Sequence, residues 1–270
     1  MPRLCALALL SLATSCYIVP EGSAPQVSLS TAAASQFVFR GMTNVDGAVA
    51  QTEGVITLPT QVDEGTLSIR GWANWDLVND TGDAWFPDGH GGEVSQYDTA
   101  ISYSETYRGY VITSGLVAYA LQNGDDFDRA PDGERGETKE FFINVERETY
   151  WDLVPAFRVH YDFDEVDGVY LNMSVRRMFE IDDELSIDSQ VSLGYADDAQ
   201  ADWLYGLESG GVADLVIGAG LNYLFDAHTD FRFGLNYSTM IDSDIADWME
   251  QDISIDPDTA WADLRVTWSY

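Results

Sequence analysis

The sequence predicts an all-β fold, a transmembrane antiparallel up-and-down β-barrel of about twelve strands, and three observations predict it. Residues 260–270 alternate without a break, with Ala260, Ala262, Leu264, Val266, Trp268 and Tyr270 on one face and Trp261, Asp263, Arg265, Thr267 and Ser269 on the other. Such a strand suits a wall with hydrocarbon outside, polar groups inside and an aromatic ring at the interface. Long, Asp- and Gly-rich connections also alternate with short ones, as outer loops alternate with periplasmic turns. Finally, apolar residues make up 46% of the chain, yet beyond the N-terminus no run approaches the roughly eighteen that a membrane helix needs. Membrane residence must then come from strands, in which every second residue is apolar.

Taken in order, the chain starts with Arg3, an apolar stretch over 4–13 and the small residues Ala13, Thr14 and Ser15, which reads as a secretory signal peptide over 1–15 and implies Sec-type export. Ala13-Thr14-Ser15-Cys16 also resembles a loose lipobox, with Ala where Leu is usual, and makes Cys16 a lipidation candidate beside ordinary cleavage. Cys5 leaves with the signal, so Cys16 has no partner and neither a disulfide framework nor a cysteine metal site is expected. A short periplasmic segment (16–25) precedes the barrel (26–270). No internal repeat and no later helix start is visible.

Period-two alternation marks strands at 26–40, 48–59, 65–77, 94–104, 109–122, 138–148, 153–162, 168–178, 185–195, 211–225, 229–240 and 260–270. The connections 78–93, 123–137, 196–210 and 241–259 are long, whereas 61–64, 105–108, 181–184 and 226–228 are short. The 163–167 connection is a short outer loop that interrupts the regularity. Phe231, Phe233, Leu235 and Tyr237 alternate with Arg232, Gly234, Asn236 and Ser238. The strand before it carries Gly218 and Gly220 on its inner side, as expected where a long side chain approaches closely. Pro59 and Pro155 read as strand ends.

The net charge of -33, from 46 acids against 13 bases, excludes nucleic acid as a partner, because phosphate contacts need clustered Lys and Arg. The register assigns Arg40, Arg70, Arg158, Arg176, Arg232 and Arg265 to the inner face. An Arg facing lipid at the midplane would cost about 2–4 kcal/mol. Glu53, Asp76, Asp98, Glu146, Asp162 and Asp263 share that face, with His160 beside them. Two uses of these lumen-lining candidates stay open. Arg-carboxylate pairs could cross-link the wall and fill a closed barrel, or some Arg could stay unpaired and attract anionic solutes.

Three resemblances add to this reading. The alternating end that closes on Trp268 and Tyr270 resembles the C-terminal assembly signal of bacterial outer-membrane barrels, which implies the barrel assembly machinery as a partner. The layout of inward Arg in about twelve strands is similar to that of small monomeric porins for acidic sugars. Phe39-Arg40-Gly41, then Thr43 and Ala50-Gln51, resembles the opening of a conserved family of Gram-negative outer-membrane barrels of unknown function (Gcw-type), whose pattern is aromatic-Arg-Gly-x-Ser/Thr followed by Pro-Ala-x-Gln. Here the Pro is missing. Gly71-Trp72-Ala73-Asn74-Trp75 resembles the Gly-x-Trp-x-Ser-Asn that follows, with the polar residue displaced. The likeness covers about the first fifth of the chain and implies a barrel without a biochemical role.

Chemistry at single sites reads weakly. A lipid-facing Ser-His pair needs an exterior histidine, and His160 points inward. His90 could approach Asp83 or Asp88 at the outer rim, but no spacing demands it, and His228 lies in a short turn. The run Asp162 to Gly168 imitates the start of an EF-hand loop yet puts Val166 where an oxygen ligand belongs. No enzyme, metal or cofactor is expected. The acidic loops, among them Asp242, Asp244, Asp247, Glu250, Asp252, Asp256 and Asp258, read as solvated surface able to bridge lipopolysaccharide weakly through divalent cations. The expected location is the outer membrane of a Gram-negative bacterium, in contact with its lipid and lipopolysaccharide. The expected function is a porin-like passive channel for small, anionic solutes. The alternatives are a closed structural or surface-contact barrel and a secreted soluble β-sandwich binding protein.

Overall fold

Sheet closure is the feature that positions everything else. The structure is a computed structural model and describes residues 24–60, 65–79, 91–121, 137–149, 151–251 and 255–270. The first strand, β1 (Gln26–Ala34), is followed by a small hairpin of β2 (Phe37–Phe39) and β3 (Met42–Val45), then by β4 (Val49–Pro59), β5 (Thr66–Asp76), β6 (Val94–Tyr107) and β7 (Tyr110–Leu121). The wall continues through β8 (Glu137–Glu146), β9 (Leu153–Asp162), β10 (Val169–Glu180), β11 (Leu185–Ala196), β12 (Gly211–Leu224), β13 (Thr229–Met240) and β14 (Asp258–Ser269). Each wall strand pairs antiparallel with its sequence neighbour in the wall, and β1 pairs with both β4 and β14, so twelve strands form one closed barrel. A single sheet closed on itself excludes the soluble β-sandwich. The expected signal peptide, Cys16, His90, Asp83, Asp88 and Asp252 lie outside the described residues.

Register carries the two faces around the wall. Ala32 stands between Arg265 and Gln51, Gln51 faces Asn74, and Asn74 faces Gln96 on one side of the sheet. The alternate positions expose Leu29, Ile56, Ile69, Leu116, Phe141, Met173, Val191, Ile217, Phe233, Leu235 and Leu264 on the other. A closed wall with a continuous apolar exterior is what hydrocarbon requires, since all backbone groups of the wall pair within the barrel.

Two expectations about local structure are corrected. The predicted strand over 26–40 stops at Ala34, and Arg40 lies on no wall strand. Its place is the tip of the β2–β3 hairpin, where Phe39 pairs with Met42 and the two residues between have φ 48° (Arg40) and 82° (Gly41). Two consecutive positive φ values define the primed turn that matches strand twist, and Gly supplies the second at no steric cost. Arg108-Gly109, between Tyr107 and Tyr110, makes the same turn with φ 51° and 81°. Two helices also occupy outer connections where none is expected: α1 (Asp198–Tyr205) and α2 (Ser243–Gln251). Asp197 caps α1 by accepting from the Gln200 amide at 2.9 Å, and Gly206 ends it in the left-handed conformation.

The hairpin and helices fold over the outer mouth rather than away from it. Phe37, Met42 and Val45 of the hairpin bury against Tyr170, Ala201, Leu204, Tyr205, Met240, Ile245 and Met249. A hydrophobic core thus sits within and above the outer end of the barrel. The polar lumen lies beneath it.

Candidate functional site

At the outer end, the hairpin tip reaches across to the far wall. Arg40 Nη2 donates to both oxygens of Glu140 on β8 at 2.7 Å, and Nη1 donates to Gln200 Oε1 of α1 at 2.9 Å. The guanidinium lies 4.4 Å from the Tyr170 ring centre and 4.9 Å from that of Phe39. Tyr119 Oη donates to Glu140 at 3.0 Å, and His160 Nδ1 lies 2.7 Å from it. Only 5% of the Arg40 side chain and 2% of that of Glu140 is exposed, which makes this a desolvated ion pair with its remaining valences filled. Burial opposes the charge on Arg40, but Glu140, Tyr119 and Tyr170 outweigh it and hold its pKa above the ordinary arginine value.

The backbone of the tip is fixed as well. Tyr205 Oη donates to the Arg40 carbonyl at 3.0 Å and Ser238 Oγ to that of Gly41 at 3.4 Å. A Cβ on Gly41 would collide with the Asp214 side chain and Met240. Asp214 is itself buried and accepts from Tyr170 Oη at 2.7 Å.

Below the latch, the inner face carries a second kind of arrangement. Arg232 on β13 donates to Asp188 on β11 through Nε and Nη2, both at 3.0 Å, and to Asp263 on β14 through Nη1 at 3.0 and 3.2 Å. Asn222 and Asn236 donate to the same two carboxylates at 2.8 and 3.1 Å. Gly220 and Gly234 leave room for this span, because a Cβ on either would run into Arg232 and its partner acid. Arg70 pairs with Glu53 at 2.5 Å and Arg176 with Glu146 at 2.9 Å. Arg158 and Arg265 differ. Arg158 stands in register between Asn144 and Asn172, Arg265 between Ala32 and Arg232, and both are exposed on the inner face without an ion pair among the described residues.

The remaining acids hold local structure. Asp76 accepts from Ser95 Oγ at 2.8 Å and Asn74 at 3.1 Å, and Asp98 accepts from Gln96 at 2.8 Å. Asp162 accepts from Thr138 Oγ1 and from the amides of Asp164 and Val166, so the run that imitates a calcium loop is a self-capped turn. Among the described residues no three His, Cys, Asp or Glu side chains come together to hold a metal. His228 Nδ1 lies 2.8 Å from the Ser269 carbonyl, and Trp268 stacks on Tyr270 with ring centres 5.9 Å apart.

Near the short turns the lumen widens into a vestibule of 910 Å³ lined by Arg176, Arg232, Asp188, Gln190, Asn222 and Val154 among others. Sequence reasoning misses Glu140, Asp188, Asp214, Tyr119 and Tyr170. Glu140 and Asp188 share the inward parity of Glu146 and Gln190 in their own strands, which is the signal that could have found them. Nothing local marks Asp214, whose strand meets β11 through a bulge.

No family model and no curated protein matches the chain. Its fold is similar to solved outer-membrane structures. The COG4313 outer membrane channel from Pseudomonas putida F1 aligns over 95% of this chain and 98% of its own at 9% identity and a TM-score of 0.51. The NanC porin aligns over 91% of this chain and 99% of its own at 10% identity and a TM-score of 0.50. At such identity the likeness is one of fold, that of an outer-membrane β-barrel.

Proposed function

We propose that the chain is a passive outer-membrane channel for small, anionic solutes, narrowed at its outer mouth by the infolded hairpin. The observation that carries this reading is the pair Arg158 and Arg265, exposed on the inner face and without carboxylates in ion-pair range among the described residues. A purely structural network would match every cation, because an unmatched charge adds nothing to the cross-linking. The acidic outer loops oppose anions at a distance, but their field decays over about 8–10 Å at physiological salt. Planar-bilayer recording tests the reading: a reversal potential toward the chloride side is expected, and a cation-selective pore would overturn it.

A second reading, a closed structural barrel, is favoured by the buried Arg40–Glu140 pair and the apolar packing around the hairpin. It predicts silence in the same recordings. On either reading Trp268 and Tyr270 would be recognised by the barrel assembly machinery. The aromatic-Arg-Gly-x-Thr pattern of Phe39 to Thr43 would encode the infolded tip in the family it resembles.

A further inference from the structure

On the described outer face of the barrel the basic side chains without an ion pair gather at one place. Among the described basic residues, Arg70, Arg158, Arg176, Arg232 and Arg265 occupy inner-face positions, Arg40 lies in the mouth, and Lys139 is tied to Asp164 at the outer rim. The remaining three, Arg108, Arg147 and Arg177, sit together at the short-turn end of neighbouring strands, on or beside lipid-facing positions. Each guanidinium lies over an aromatic ring: Arg108 is 5.1 Å from the Tyr107 centre, Arg147 4.8 Å from Tyr110, and Arg177 4.4 Å from Phe179. Arg147 also donates to Tyr110 Oη at 3.2 Å. None of the three has an ion pair among the described residues, and Arg177 Nε is buried with no hydrogen-bond partner. In a chain of net charge -33, three unpaired cations gathered at one rim form the only such group on the described outer wall.

An apolar groove of 750 Å³ rises from this rim into the belt. Tyr110, Pro155, Phe157, Met173, Val175 and Leu193 line it, and Arg147 stands at its foot. The compact ring of Pro155 is set among longer side chains at the position facing Val175. Stacking on aromatic rings holds the guanidinium planes in place, and their outer N–H groups remain available to phosphate oxygens. Of the acids nearby, Glu146 is paired with Arg176, Glu148, Asp152 and Glu180 border the vestibule that Arg177 also reaches, and Glu105 alone shares the outward parity of Tyr107, one carboxylate against three guanidinium groups on that face.

We infer that this rim and groove form a binding site for one anionic phospholipid of the periplasmic leaflet, with an acyl chain in the groove and its phosphate between Arg147 and Arg177. Charge complementarity selects the occupant: a zwitterionic lipid fills the groove equally well but gains less from three unpaired cations, each worth about fivefold in affinity for an anionic surface. Native mass spectrometry of the folded, detergent-solubilised chain tests it, with phosphatidylglycerol and phosphatidylcholine of identical acyl chains supplied in equal amounts. The wild-type chain is expected to retain phosphatidylglycerol at least tenfold over phosphatidylcholine. The R108Q/R147Q/R177Q variant, its folding verified by heat-modifiable migration, is expected to bring the two lipids to parity. Should that variant not fold, Arg147→Gln alone is expected to lower the preference about fivefold. Equal retention in the wild type, or a preference that survives the substitutions, overturns the inference.

Discussion

Arg40 and Glu140, one hundred residues apart in the chain, meet across the mouth of the barrel with Nη2 at 2.7 Å from both carboxylate oxygens. The contact ties the first outer connection to the eighth strand and so fixes how far the mouth is occupied. Its cost is desolvation of two charges, which Tyr119, His160, Gln200 and the Tyr170 ring offset by filling the remaining valences.

Removing one partner should release the hairpin. Arg40→Gln or Glu140→Gln leaves a buried charge uncompensated, for a loss of about 3–5 kcal/mol. The hairpin amides should then exchange with solvent faster while the wall amides stay protected, and bilayer conductance should rise. The double change of both residues to Leu should restore docking, because Phe37, Met42 and Val45 still bury against the mouth core. Unaltered exchange at the hairpin in the single variants would show that the ion pair does not hold it.

Crowding on the inner face makes a second prediction. Gly220→Ala or Gly234→Ala puts a methyl where Arg232 and its partner carboxylates lie. Each should lower stability by about 1–3 kcal/mol, read as a shift in urea midpoint for the barrel folded in vesicles. Gly71→Ala, whose Cβ would meet nothing within 4 Å, is the control and should leave the midpoint near its wild-type value.

The wall is legible in the sequence for a simple reason: hydrocarbon on one side and water on the other impose a period of two on every strand. The segments 153–162 and 229–240 coincide with β9 and β13. The same regularity conceals the latch. Phe37 and Phe39 alternate with Val38 and Arg40, so the pattern reads straight through Ser35 and Gln36, and a strand that turns inward keeps the signature of one that continues. Only the positive φ values of Arg40 and Gly41, and partners 100 and 160 residues away, distinguish the two cases. The helices are hidden differently, as segments of eight and nine residues inside acidic loops, where no long apolar period develops.

Ion pairing divides the lumen arginines by their expected effect on selectivity. Arg158→Gln with Arg265→Gln removes cations that no carboxylate matches among the described residues, and should move the reversal potential of the channel toward potassium. Arg232→Gln should move it less in that direction per charge removed in its own right, but it also leaves Asp188 and Asp263 unmatched and should lower stability. Recordings in a potassium chloride gradient separate the two. Identical shifts from Arg158 and Arg232 with no loss of stability would contradict the division.

Opposite faces of one strand supply the sharpest contrast for the barrel itself. Leu235 and Asn236 are adjacent at the middle of β13, yet Leu235 is 57% exposed on the apolar exterior while Asn236 donates to Asp263 on the inner face. Leu235→Arg must place a guanidinium near the centre of the hydrocarbon and should destabilise the folded barrel by about 2–4 kcal/mol. Asn236→Arg puts the same group where water and Asp263 can receive it, so the loss should be smaller. The measurement is folding into vesicles of matched thickness across a urea series. Equal losses at the two positions would mean that lipid does not contact the face bearing Leu235, and the assignment of exterior and lumen would fail with it.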